Sequence, residues 1–494
     1  MQNLTARLAR GSMWISASRG IVNLLGLLST IVLARLLLPE DFGLVALGTT
    51  MFLIVQSITD LSLAQALVHH KDPGPAHFNT AWTLNTLRGL VLAALFAAAG
   101  PMTAKFYGDP RMATVMYAFA ISLFLGGLAN PRRIMLQKKL IFWQDFMLQV
   151  SQKLAGVIVG IVVAVIFRSY WALIASVLAG QIVQVIISYT VLPFRPRPTL
   201  KHARELWSFS VWLTLSQMIN TINWRIDQLL IGKFLGRSDL GFYTVGNNLS
   251  VMPTRETTLP LTQTLFPAFS QLRGDPERLR RAYQRAQALV TAIALPLGVG
   301  MALVAEPLVL ATMGAKWLPA TAVIQAMAVI VAIQTVGSQV APLGMALGAT
   351  RTLFVRDTQL FCIRLPMIIA GMYLDGLQGV IWARVISGLI STGVNLLMVR
   401  KLIDLPVREQ LAANLRCFAA VLVMSAAVWA VGHGFEQTGK LPALLIEIAL
   451  SVSTGALAYI GTSMLLWLIA GRPSGPEREI VTMLGKARAK LARG

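Results

Sequence analysis

The chain divides into about fourteen apolar stretches of roughly 20 residues, each long enough to cross a hydrocarbon core as a helix. They lie at 12–34, 42–67, 78–100, 112–130, 146–167 and 170–193, then at 207–231, 241–268, 286–312, 318–346, 354–374 and 377–399, and finally at 411–433 and 442–470. Continuous apolar runs of this length are unlike the short alternating strands of a membrane barrel. The expectation is an all-α polytopic membrane protein. Composition agrees: 55% of residues are hydrophobic, only 13% are charged, and mean hydropathy is +0.66. A soluble domain needs more polar surface than that. The first stretch contains Arg19 and is too long for a signal-peptide core, so it is expected to be retained as a helix.

Most of the 43 Lys and Arg residues fall in every second gap. One set holds Arg7 and Arg10 before the first stretch, then Lys71, Arg132, Arg133, Lys138 and Lys139, and later the run Arg273 to Arg285, Arg408 and the tail. The opposite gaps carry only Arg35, Lys105, Arg111, Arg168, Lys233, Arg237, Lys316 and Lys440. Cytoplasmic loops of membrane proteins are enriched in Lys and Arg, so both termini are expected in the cytoplasm. The net charge of +22 is then an orientation signal rather than a nucleic-acid footprint. Two basic segments, 132–147 and 477–492, interleave cations with apolar residues and suit helices lying on an anionic lipid surface or packed on their own loops.

A shift of 198 residues lays Trp14 on Trp212, Asp41 on Asp239, Gly43 on Gly241 and Gly48 on Gly246. LPEDFGLVALG at 38–48 thereby faces GRSDLGFYTVG at 236–246, each at the first connection of a six-helix unit. Units with an even number of spans share one orientation, so the relating axis would run along the membrane normal. The expected architecture is two six-helix lobes, 1–200 and 201–402, followed by an extra helix pair and basic tail over 403–494.

Seven cations lie within or beside the stretches: Arg19, Arg88, Lys153, Arg225, Arg255, Arg364 and Arg384. A charge at mid-bilayer costs about 2.5–3.5 kcal/mol, so such residues face protein or a water-filled cavity. Arg88 and Lys153, near span ends, can instead reach the interface with their long side chains. Arg19, Arg225 and Arg255 are deeper, and read either as internal ion pairs or as the lining of a positive cavity for an anion. Asn23, Asn85, Gln217, Asn247 and Asn248 add hydrogen-bonding capacity, or serve as ordinary glue between helices. Asp60, Asp227, Glu256 and Glu447 are the acidic residues at comparable positions.

Other chemistries find no support. Cys362 and Cys417 read as small buried hydrophobes. The five histidines lie in loops or at span ends, and no metal or cofactor is expected. The absence of a phosphate-binding loop makes ATP hydrolysis by this chain unexpected, and no enzyme activity is assigned.

ARLLLPEDFGLVAL at 34–47 and RIDQLLIGKFLGRSDLGFYTVGNNL at 225–249 resemble paired signatures of bacterial polysaccharide-biosynthesis transporters. These are the Wzx-like oligosaccharide flippases of the multidrug/oligosaccharidyl-lipid/polysaccharide exporter superfamily. The resemblance implies a bacterial inner-membrane flippase carrying undecaprenyl-pyrophosphate-linked oligosaccharide to the periplasmic leaflet. It implies headgroup contact by Arg19, Arg225 and Arg255, aided by Asn23 and Asn247, with Asp60 and Asp227 in coupling or gating. Implied partners are the lipid-linked glycan, anionic lipids, and a polysaccharide polymerase with glycosyltransferases. The competing functions are a cation/drug antiporter, a lipid-II-type flippase and a non-transporting scaffold. An antiporter for cations would want a carboxylate-rich cavity, and a scaffold needs no charged interior.

Overall fold

The computed structural model describes residues 2–59, 67, 73–138, 142–203, 211–434, 441–472, 475 and 477–478. Every regular element among them is helical. In chain order they begin with α1 (Gln2–Leu36), α2 (Pro39–Thr59), α3 (Pro75–Tyr107), α4 (Arg111–Gly127), α5 (Arg133–Lys138), α6 (Phe142–Phe167) and α7 (Trp171–Val191). Then come α8 (Val211–Phe234), α9 (Arg237–Gln271), α10 (Pro276–Leu303), α11 (Ala305–Thr312), α12 (Pro319–Gln334) and α13 (Val340–Ala346). The series ends with α14 (Thr350–Ile403), α15 (Val407–Ala412), α16 (Leu415–Gly432) and α17 (Leu441–Ile469).

Ten helices among the described residues are long and apolar enough to cross a membrane. Helices α8 and α9 are not among them, and their sequences say why. The former carries Asn220, Asn223, Arg225, Asp227 and Gln228; the latter carries Asn247, Asn248, Arg255 and Glu256 along with three prolines. The longest helix, α14, is two helices: Asp375 (φ −151, ψ 36) and Gly376 (φ 50, ψ −130) break it between the stretches expected at 354–374 and 377–399. Only glycine readily adopts that second conformation. The chain reverses there so tightly that a Cβ on Gly371 or Gly379 would collide with the other's backbone.

Backbone contacts gather the chain into two units, Met1–Gly241 and Phe242–Gly494. In the first, α3 packs on α4, α6 on α7 and α1, and α2 on α8. Trp14, Trp143 and Phe146 stack edge and face at 4.7–5.3 Å where α6 begins. Arg133 of α5 pairs with Asp145 of α6 at 3.0 Å. The expected surface helix over 132–147 is therefore represented by α5 and the first turn of α6, with 139–141 outside the described residues. The amphipathic tail expected over 477–492 also lies outside them, apart from 477–478. Glu477, itself buried, pairs with Arg416 at the start of α16 at 3.5 Å. In the second unit, Phe269, Leu279, Tyr283, Leu343 and Val399 form one core and Leu295, Cys417, Val421 and Met424 another.

Candidate functional site

The site grows from the start of α2. Pro39 sits in the first helical turn, where its missing N–H costs nothing, and Glu40 and Asp41 complement the helix dipole. Asp41 reaches back so that its Oδ2 accepts from the Leu38 N–H at 3.0 Å. Helix α9 starts 198 residues later, at Arg237, with Asp239 in its first turn. Asp239 precedes the span expected from 241, and burial raises its carboxyl pKa above the ordinary value.

These two starts grip each other reciprocally. A Cβ on Gly43 would collide with the carbonyl of Arg237, and a Cβ on Gly241 with the carbonyl of Pro39. The four residues are two pairs related by the 198-residue shift seen in the sequence. Only side chains without a Cβ allow backbones this close, the device membrane helices use to maximise dispersion contact. From there α2 and α8 run antiparallel. Leu47 fills the space over Gly232, Thr50 donates to Gln228 Oε1 at 2.5 Å, and the hydroxyls of Ser57 and Thr221 meet at 2.8 Å.

Beside the grip is a polar pocket of about 280 Å³ whose lining includes Glu40, Tyr107, Asp109, Lys233 and Arg237. Asp109, buried at the turn between α3 and α4, pairs with Arg111 at 3.2 Å and with Arg237. Lys233 lies 4.2 Å over the Phe106 ring and donates to the Phe106 carbonyl. Asp109 is thus shared between two arginines, while Lys233 is engaged by the carbonyl and ring of Phe106.

Deeper along α8, the expected residues come into view. Arg225 is half-buried, and its Nη1 donates to Gln228 Oε1 at 3.4 Å. Asn223 and Asp227 are buried, and Asp227 Oδ1 accepts from the Gln228 N–H at 2.9 Å. Arg19 and Asn23 on α1 are both half-buried in the same unit. Asn247, half-buried, and Arg255, exposed, belong to α9 in the second unit. Asp60 lies outside the described residues, as do His69 and His70. Arg88, expected to reach toward the interface, donates to the carbonyl of Thr59, the last residue of α2, at 3.0 Å.

Sequence reasoning passed over Gln228 and Thr50. Gln228 could have been found as the residue one turn beyond Arg225 on the same face, but Thr50 is 178 positions away. It also gave no special weight to Arg364 and Arg384. These are 5% and 7% exposed, one on each arm of the α14 hairpin, and more enclosed than Arg19, Arg225 or Arg255.

The chain is 23% identical to the lipopolysaccharide biosynthesis protein WzxC of Escherichia coli, over 79% of this chain and 80% of that one. It is 24% identical to the succinoglycan biosynthesis transport protein ExoT of Rhizobium meliloti, covering 87% of each. It is 22% identical to the teichuronic acid biosynthesis protein TuaB of Bacillus subtilis, over 93% and 96%. Among solved structures, the lipid II flippase MurJ in an inward closed conformation shares the fold with a TM-score of 0.75. Identity there is 14%, covering 92% of this chain and 99% of that one. An inward-facing multidrug resistance MATE family transporter of the MOP superfamily gives a TM-score of 0.57 at 16% identity, over 80% of this chain and 94% of that one. A family profile described as polysaccharide biosynthesis protein matches residues 32–322, and the chain belongs to that family.

Proposed function

We propose that this chain is an alternating-access flippase that carries an undecaprenyl-pyrophosphate-linked oligosaccharide from the cytoplasmic to the periplasmic leaflet of a bacterial inner membrane. The product would feed lipopolysaccharide, exopolysaccharide or capsule synthesis. The observation that carries this reading is family membership across 32–322, joined by similarity to a succinoglycan transport protein over 87% of the chain. The chain acts as a carrier and performs no bond chemistry.

In this reading fourteen helices cross the membrane: the ten long apolar helices, with α14 counted as two, together with α4, α8 and α9. Lobes 1–200 and 201–402 and the extra pair with its tail over 403–494 follow the 198-residue repeat. Both termini lie in the cytoplasm, where basic loops meet anionic lipids and where polymerase and glycosyltransferases would engage. Arg19, Arg225 and Arg255 contact the pyrophosphate, with Asn23 and Asn247 on its polar surroundings and Asp60 and Asp227 in coupling. An excess of arginine over carboxylate favours an anionic cargo over a cationic drug.

Direction follows from electrostatics. A pyrophosphate carries about two negative charges, and each is worth about 2.3 kcal/mol per 100 mV. With the interior negative, outward movement is downhill by several kcal/mol. Flipping of a lipid-linked oligosaccharide in proteoliposomes held at imposed potentials tests this: the rate should rise when the starting side is negative. Equal rates at both signs would remove the potential as a driving force, and absence of flipping at any potential would overturn the flippase reading.

A further inference from the structure

Lys153, expected to send its ammonium group to the interface, instead holds it deep between helices. It stands within the span Trp143–Phe167 of α6, about 15 Å from the nearer end. A Cβ placed on Gly26 of α1 would lie 3.3 Å from Lys153 Cε and 3.4 Å from Nζ. Gly26 is at the middle of its own span, Ala17–Leu36. The lysine also leans away from the nearer interface. Trp14 meets Phe146 at 5.1 Å and Leu33 shares a core with Ala164, so α1 and α6 run parallel in nearly one-to-one register. That register sets Lys153 level with about Ile21, whereas its ammonium rests at Gly26, roughly 7 Å further from the end where both helices begin. A snorkelling lysine would reach the other way.

Gly26 belongs to an inward stripe. Arg19, Asn23, Gly26 and Thr30 recur at helical spacing on one side of α1, while Ile21, Leu24 and Leu28 on the opposite side are exposed. Lys153 thus brings a positive charge to the stripe that carries Arg19 and Asn23. Among the described residues its ammonium group makes no hydrogen bond or ion pair. A charge at this depth is costly unless water or a counter-charge meets it. Headgroups resting in either leaflet are about 15 Å away, half the hydrocarbon thickness. An anion that reaches Lys153 is therefore one in passage.

We propose that Lys153 contacts the phosphate groups of the lipid-linked cargo midway across the membrane, beyond Arg19 on the same path. Arg19 lies about 10 Å nearer the cytoplasmic end along α1. Gly26, by lacking a side chain, leaves the ammonium its place. A lysine ammonium is a compact point charge with rotatable donors, so it can follow a turning headgroup where a planar guanidinium would fix one orientation. The inference rests on reading the chain as a flippase for a pyrophosphate-linked lipid.

The test uses the full chain in phosphatidylcholine nanodiscs, with undecaprenyl pyrophosphate as probe, undecaprenol as uncharged control and inorganic pyrophosphate as soluble anion. Wild type should prefer the pyrophosphate lipid to undecaprenol. Lys153→Met keeps the length and removes the charge. It should weaken pyrophosphate-lipid binding by about tenfold, the scale of a lost hydrogen bond to a charged group, and leave undecaprenol binding unchanged. Lys153→Arg, which keeps the charge, should bind close to wild type. Gly26→Val fills the ammonium's place while keeping the lysine, and should lose a few-fold. No preference in wild type would overturn the flippase reading itself. A preference unchanged in Lys153→Met, or in Gly26→Val should the first fail to fold, would overturn the Lys153 contact alone. Equal loss in Lys153→Met and Lys153→Arg would overturn it too. Wild-type binding of inorganic pyrophosphate without binding of the lipid would assign the site to a soluble anion and overturn the carried-headgroup claim.

Discussion

Two helix contacts in this protein solve the same problem with opposite chemistry. Helix α2 joins the start of α9 through close backbone approach at Gly43, and α8 through side-chain hydrogen bonds, Thr50 with Gln228 midway and Ser57 with Thr221 beyond. Helices α10, α16 and α17 instead surround an apolar hollow of about 390 Å³, lined by residues such as Pro296, Met301, Met424, Val428 and Val452. Its polar brace is at one edge, where Tyr459 donates to the Ala292 carbonyl at 2.7 Å and meets Cys417 Sγ at 3.5 Å. In lipid, hydrophobic burial no longer drives helix association, and packing with occasional polar glue replaces it. The first contact is made by polar side chains and bare backbone; the second is lined almost wholly by apolar side chains.

Replacing both Arg225 and Arg255 with alanine should break the functional side of this contrast most completely. Glycan export in a complemented deletion strain should fall by about 100-fold or more, with the protein still inserted. Retained export with altered drug resistance would favour the cation antiporter. Next in size is Gly43→Val, which drives a side chain into the Arg237 carbonyl. Overpacking of this kind costs about 1–3 kcal/mol, and backbone contact places it at the upper end. A lowered melting temperature in nanodiscs would report it, and Gly241→Val should do the same at the reciprocal contact.

Asp109→Asn should cost less, about 1–2 kcal/mol, because both of its arginine partners are partly exposed and screened. Tyr459→Phe, at the edge of the apolar hollow, should cost about 1 kcal/mol, one neutral hydrogen bond. An effect there as large as at Gly43 would erase the distinction between the two contacts. The smallest effect is a pH slope. Burial raises the Asp239 pKa, so its charged form disfavours the folded state. The chain should gain stability as pH falls through the raised value, with the gain complete below the unfolded value near 3.8. Asp239→Asn should remove that slope and stabilise the protein at neutral pH.

Much of the fold was legible in sequence because membrane helices announce themselves. The break at Asp375–Gly376 falls in the two-residue gap between adjacent apolar stretches, and Gly43 and Gly241 stand at matching places in the repeat. The site was legible only in part. Arg225 was visible as a charge in an apolar setting, but its exposure was not, and neither was that of Arg255, which the structure leaves exposed on α9. Arg364 and Arg384 looked no different from other intramembrane cations, yet are the most enclosed of those whose burial is described. Hydropathy registers that a charge enters the membrane; it does not register which face of the helix carries it.

Length, apolarity and the alternation of basic gaps were sufficient by themselves for a helical, multi-span membrane chain, because backbone polar groups in hydrocarbon must be satisfied within each helix. Those are local requirements, written residue by residue. The grip of Gly43 on Arg237 and the joint of Thr50, Gln228 and Arg225 were decided only when α2 met α8 and the start of α9. Hydrogen bonds and close packing depend on distances of a few ångströms between residues far apart in the chain, and no local pattern encodes those distances.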